Sequence, residues 1–339
     1  MGRLLIIVSI IGCLLCGCST RHKVDSDIDI DFSMVDVDSV PFSQIMDSVS
    51  YLSLNLPDSI VIGRVKDISF EDSMIVILDK YSNVIKFSRD GRYIGNIGSK
   101  GNGPGEYISA DALCTDESHV YIYDRMQRSV IQYDHNGNYN KKDSIGAAED
   151  FAKIDIDNRP HYLSVLYNAK PEKSGIYLWN EIDGSQKLRG CLDDTPFNHI
   201  WAIFQNDTKL SVMTRIYENK LYHLDEDSLK MELSLKITPQ PTQRELDNWH
   251  PKDKQNHLMR GYYYNTDRWF ICDNWLDDEQ YTVIIDKKTG KTIRTHGIYN
   301  DFDSNEVVQG LPIAIDNALV FVDSEDEDNL RLQFRHLKR

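Results

Sequence analysis

What this sequence lacks narrows its function quickly. It has no excess of cations: 38 Lys and Arg stand against 53 Asp and Glu, a formal net charge of −15. Nucleic-acid surfaces and anionic-lipid surfaces both need clustered Lys and Arg, so neither partner is expected. It has no disulfide framework. Of six cysteines, Cys13, Cys16 and Cys18 crowd the first 18 residues, and Cys114, Cys191 and Cys272 are scattered without C-x-x-C spacing. Cys114 and Cys272 sit in apolar strand patterns and read as buried thiols. Gly-x-Ser-x-Gly is absent, which removes the nucleophile elbow. His250 and His257 are 7 apart in a loop and form no zinc pair. The N-terminal apolar run, Leu4 to Leu15, is too short for a bilayer, which takes about 20 residues.

What is present is a repeat. "IVILDKYSNVIKFSRDGRYIG" from Ile75 and "VYIYDRMQRSVIQYDHNGNYN" from Val120 are two copies of one paragraph. Ile77-Leu78-Asp79 aligns with Ile122-Tyr123-Asp124 at an offset of 45, and Phe87–Gly91 with Tyr133–Gly137 at 46. Each copy alternates apolar and polar residues through short strands separated by turn residues. A period in the forties with about four strands per unit is the signature of a propeller blade. The length of 339 residues suits one closed array.

Weaker copies keep the rhythm. Hairpin glycines at 91, 137, 184 and 290 are separated by 46, 47 and 106 residues, the last interval being two blades plus a small insertion. "TPQPTQRELDNWHPKDKQNHLMRG" (238–261) is that excursion. The tail supplies three strands for a sixth blade, and the orphan strand Val49 to Asn55 supplies the fourth. The expected fold is all-β: a six-bladed propeller of four-stranded blades over 46–339, monomeric, closed by its N-terminal strand.

The first 18 residues form an address. Arg3, the apolar run, and then Leu15-Cys16-Gly17-Cys18 resemble a bacterial lipoprotein signal peptide with its lipobox. Cys18 is then the lipid attachment site, and Ser19, in place of Asp, fits sorting to the outer membrane. Residues 19–45 are rich in Asp and read as an acidic, solvated tether.

"GSKGNGPGEY…VYIYDRMQRSVIQYDHNGNY" resembles the NHL repeat, with its Gly-Pro-Gly connection, its strand ending in Asp and its aromatic hairpin. With the lipobox, the whole chain is similar to the six-bladed β-propeller lipoproteins of Gram-negative gut bacteria, related to NHL and TolB-like propellers. That resemblance implies a cell-envelope location and assigns no chemistry.

The residues then give two readings. The first is a non-enzymatic, lipid-anchored scaffold that binds a protein or glycan, without a cofactor. Its candidate contacts are Glu106 and Tyr107 after the Gly-rich connection, and Trp249, His250 and His257 in the excursion. The alternative is a lactonase-like hydrolase or lyase with a divalent ion, calcium among them, in the central channel, whose ligands linear sequence does not single out. Asp79 and Asp124 look like a carboxylate pair, but an Asp after a strand caps the following turn through backbone amides, and that reading is preferred.

Overall fold

The computed structural model describes residues 27–31, 34–148, 150–166, 175–191, 202–206, 209–213, 220–225, 228–238, 244, 259–276, 279–303, 309–324 and 330–339. They form a six-bladed β-propeller. Blade one is Val65–Phe70, Met74–Asp79, Val84–Ser88 and Tyr93–Asn96. Blade two is Ala110–Thr115, His119–Asp124, Ser129–Asp134 and Tyr139–Ser144. Blade three runs from Asp150–Ile156 to Gln186–Cys191, blade four from Ala202–Asn206 to Ser228–Thr238, and blade five from Met259–Asn265 to Lys291–Thr295. Each is an antiparallel meander whose first strand faces the axis and touches the first strands of its neighbours.

The ring closes as the leftover strands require. Gln309–Ile315, Ala318–Ser324 and Leu330–Leu337 form three strands of blade six, and Met46–Ser53 pairs antiparallel with the last of them. Joining the two chain ends in one sheet removes the edge that an open array would leave.

Burial explains the strand chemistry. Met74–Asp79 is buried at every position because a second strand is pressed between neighbouring blades on both sides. Tyr139–Ser144, an outer strand, alternates exposed and half-buried residues. Between blades one and two, Val76, Leu78, Ile97 and Tyr107 pack against Leu113, Ile122, Ile131 and Tyr133. The hairpin glycines at 91, 137, 184 and 290 all take positive φ, between 67° and 85°. At Gly91 any side chain would also run into the Ser53 carbonyl of the closing strand.

The acidic segment before the propeller departs from the solvated tether expected over 19–45. Asp27–Asp31 is a fifth strand of blade four, parallel to Ser234–Thr238, with Ile30 in the core between blades four and five. The Arg294 guanidinium grips Asp36 at 2.8 and 3.3 Å and holds its carboxyl below the usual range. Val40–Pro41 then pairs with Ile298–Tyr299, and Phe42–Ile45 forms one helical turn leading into the closing strand. The alternation Asp-Ile-Asp-Ile-Asp is a strand pattern in its own right, with Ile30 seated in the core, and charge content conceals it. Cys18 and the residues Trp249, His250 and His257 lie outside the described residues.

Candidate functional site

Strand direction gives the ring two unlike faces. One carries the inter-blade connections and the turns between second and third strands, and is called here the connection face. The other carries the turns between first and second and between third and fourth strands, the hairpin face.

On the connection face, Asp79 and Asp124 end the second strands of blades one and two and are fully buried. Asp79 accepts the amides of Gly63, Tyr81 and Asn83 and the Asn83 side chain, each at 2.8 Å. Asp124 accepts Ile108 N–H at 2.6 Å and Gln127 N–H at 3.0 Å. Both carboxylates tie the incoming connection to the second turn of the same blade, a structural use of an ion.

The Gly-rich connection turns back on itself. Ser99–Lys100 bridges to Glu106–Tyr107, and the Glu106 carboxylate accepts Gly103 N–H at 2.7 Å. A Cβ at Gly101 would collide with that carboxylate, so glycine there is a packing requirement. Tyr107 is 2% exposed and donates to the Ile97 carbonyl at 3.3 Å, and burial pushes its phenol up to about 12. The structure therefore places Glu106 on its own loop and Tyr107 in the core between blades.

The twin Asp frames display a different set of side chains. Tyr81 in blade one and Met126 in blade two occupy equivalent positions directly after the twin frames and are 53% and 67% exposed. Gly63 and Ile108 are the equivalent residues of the incoming connections. The Tyr81 ring covers Gly63, whose absent Cβ would lie 2.7 Å from it, and Ile108 is exposed. Val61, two residues before Gly63, is 73% exposed. The two turns are joined, since Ser82 Oγ donates to the Ala110 carbonyl at 3.0 Å and Arg125 N–H to Ser109 at 3.1 Å. Val61, Tyr81, Ile108 and Met126 thus form one apolar band across two blades. Exposed apolar groups held on a rigid frame mark contact surfaces. Sequence reading missed this band, although the offset of 45 already paired Tyr81 with Met126.

Cations border the band. Arg64, Lys66, Lys80, Arg125 and Arg128 are all exposed. Lys66 and Arg125 share Asp111 at 2.9 and 3.5 Å, and the Lys80 ammonium lies 4.7 Å from the Tyr81 ring centroid.

The hairpin face is acidic and largely self-paired. Asp116 accepts the amides of Ser118 and His119 and the Tyr121 hydroxyl, and Asp134 accepts those of Asn136 and Asn138. At the seam of blades two and three, Lys141 pairs with Glu181 at 2.6 Å and with Asp143 at 3.0 Å. Lys153 reaches the second oxygen of Glu181 at 3.4 Å, with both side chains under a tenth exposed. Tyr162 donates to Asp143 at 2.9 Å, and burial pushes its phenol far up. A cleft of about 320 Å³ between blades six and one is lined by Phe70, Glu71, Arg89 and Asp316, with Arg89 already over Phe70 and 3.8 Å from Asp316.

Inside the ring, Asp67 of the first strand of blade one accepts Leu113 N–H from blade two at 2.9 Å. Withdrawal from water pushes its pKa up to about 6. The metal-dependent alternative needs converging ligands, and among the described residues no three His, Cys, Asp or Glu side chains are grouped to hold an ion. These residues do not fit a channel metal, and no reaction step is derived through one. Among the described residues no helix is long and apolar enough to cross a membrane.

The family described as a domain of unknown function (DUF4934) matches residues 26–330. Among solved structures, a protein of Bacteroides fragilis assigned as exported is similar, with TM-score 0.73 and 16% identity over 93% of this chain and 100% of that chain. A DUF4221 family member from Bacteroides vulgatus follows, with TM-score 0.56 and 10% identity over 87% of this chain and 98% of that chain. At these identities the likeness concerns the fold. No curated protein matches the sequence.

Proposed function

The chain belongs to the family described as a domain of unknown function (DUF4934), and we propose that it is a lipid-anchored, extracytoplasmic binding module without catalytic activity. Its partner is a protein, held on the connection face of blades one and two. The observation that carries this reading is the band of Val61, Tyr81, Ile108 and Met126, kept in place by Asp79 and Asp124. Exposed aliphatic side chains favour a protein over a glycan, since sugar stacking needs several aromatic faces and the band has one. Export agrees with the lipobox at Cys18 and with the exported assignment of the similar B. fragilis protein.

The strap supports a defined orientation. Only residues 19–26 separate Cys18 from the strand at Asp27, and eight residues reach at most about 28 Å. That strand runs parallel to the outer strand of blade four, so its N-terminal end points toward the hairpin face. Blade four lies across the ring from blade one. The lipid therefore holds the far side of the ring toward the membrane and leaves the band facing outward.

The test is capture of the tagged protein from detergent-solubilised membranes, with partners identified by mass spectrometry. The wild type is expected to bring a stoichiometric protein, and Tyr81→Ser with Met126→Ser to lose it. Cys18→Ala is expected to release the propeller from the membrane fraction. Equal capture by wild type and double variant removes the band from the account.

A further inference from the structure

We infer that the segment this face receives is an acidic, extended stretch of the partner, its apolar side chains seated on the band and its carboxylates on the bordering cations. The inference rests on the protein-binding reading above and adds the chemistry of what binds.

Charge carries the argument. The chain as a whole is at −15, yet the exposed charges around the band are Arg64, Lys66, Lys80, Arg125 and Arg128, with Asp58 the exposed acid on the incoming connection. The acids closest to the band are engaged: Asp79 and Asp124 on buried amides, Asp111 on Lys66 and Arg125. In a self-repelling acidic molecule, a cation-rich rim around exposed apolar side chains draws a negative partner and turns it toward that patch. The opposite face presents Glu71, Asp72, Asp90, Asp116 and Glu117 and repels the same partner.

Geometry sets the shape of the segment. The band follows two equivalent turns on adjacent blades rather than filling a cavity, so it suits a chain laid across the seam better than a globular knob. Tyr, Met and Arg are the residue types enriched where protein interfaces bury their centres, and here they alternate along the path Tyr81, Arg125, Met126. A segment alternating acidic and apolar residues presents carboxylates to the rim and side chains to the band at once. The chain's own Asp27–Asp31 strand shows that such a pattern docks on a propeller blade, there along an outer edge.

The test pans a displayed library of random peptides on the full-length chain and measures selected synthetic peptides by fluorescence anisotropy. Acidic peptides with interspersed apolar residues are expected to be enriched. Their affinity should fall about tenfold or more in Arg64→Glu with Lys80→Glu, and should weaken as salt rises from about 0.05 to about 0.5 M. Asp72→Lys, on the hairpin face, should change nothing, and matching circular dichroism melts should show that all variants are folded. Enrichment of basic or uncharged peptides, insensitivity to the charge reversals, or self-association in sedimentation that the reversals abolish would each overturn the acidic-segment inference. Loss of the membrane partner in the Tyr81 and Met126 double variant, alongside any of those results, would leave the protein-binding reading standing and remove only the chemistry assigned here.

Discussion

The two faces of blades one and two are made by the same repeat and end up chemically opposite. On the hairpin face polar side chains find partners within the fold: Asp116 and Asp134 cap their turns, and Lys141, Lys153 and Glu181 bridge two blades. On the connection face the acids are consumed by the frame, while large apolar groups and cations remain exposed. A face that satisfies itself holds the ring together. A face that leaves Tyr81 and Met126 outside has surface free for a partner, and the rigid frame beneath it limits the ordering cost of binding.

Removing the largest interaction on the hairpin side breaks the comparison most severely. Glu181→Ala leaves Lys153, 7% exposed, without its carboxylate and takes one of two from Lys141. The expected loss is about 3–5 kcal/mol by chemical denaturation, whereas partner capture by the surviving folded fraction should persist. Asp79→Ala attacks the connection-face frame instead, orphaning three amides. A loss of about 3 kcal/mol is expected, together with amide exchange rising locally at Gly63, Tyr81 and Asn83. Unchanged exchange there would mean that the frame does not hold the band.

Asp67 sharpens the account from inside the ring. Its folded pKa of about 6 lies above the unfolded value of about 3.9. Between those values the folded chain keeps a proton that the unfolded chain has lost, so this group's contribution to stability falls as pH rises from about 4 to about 6 and is level above. Asp67→Asn should flatten that slope in denaturation curves. An identical slope in the variant would deny the shift. Asp286 works in the other direction: Arg268 holds its carboxyl down to about 2, and that stability disappears as pH falls through the same value. The smallest effect is the most informative for function. Tyr81→Ser with Met126→Ser should change stability by no more than about 0.5 kcal/mol while abolishing capture.

Much of the fold was legible because local and global signals agree. The 45-residue offset fixed blades one and two to within a residue or two, and the unpaired Val49 to Asn55 strand announced the closure later found at Met46–Ser53. The capping role of Asp79 and Asp124 was readable too, since an Asp after a strand has amides within reach. The strap was not, because its carboxylates suggested solvent while its Ile alternation spelled a strand. Glu106 and Tyr107 were misjudged as open contacts for a different reason. Whether a residue after a turn faces solvent depends on where a neighbouring blade lies, and here blade two covers Tyr107. The apolar band escaped notice since its four residues are far apart in sequence and meet only through hydrogen bonds between connections.

The most direct test of the central claim compares the two faces at matched exposure. A photo-crosslinking amino acid is placed at Met126 on the connection face or at Ile182 on a hairpin turn of blade three, 67% and 73% exposed, and irradiated in intact membranes. The account predicts a discrete protein adduct from position 126 and none from position 182. An adduct from 182 with none from 126 would contradict it.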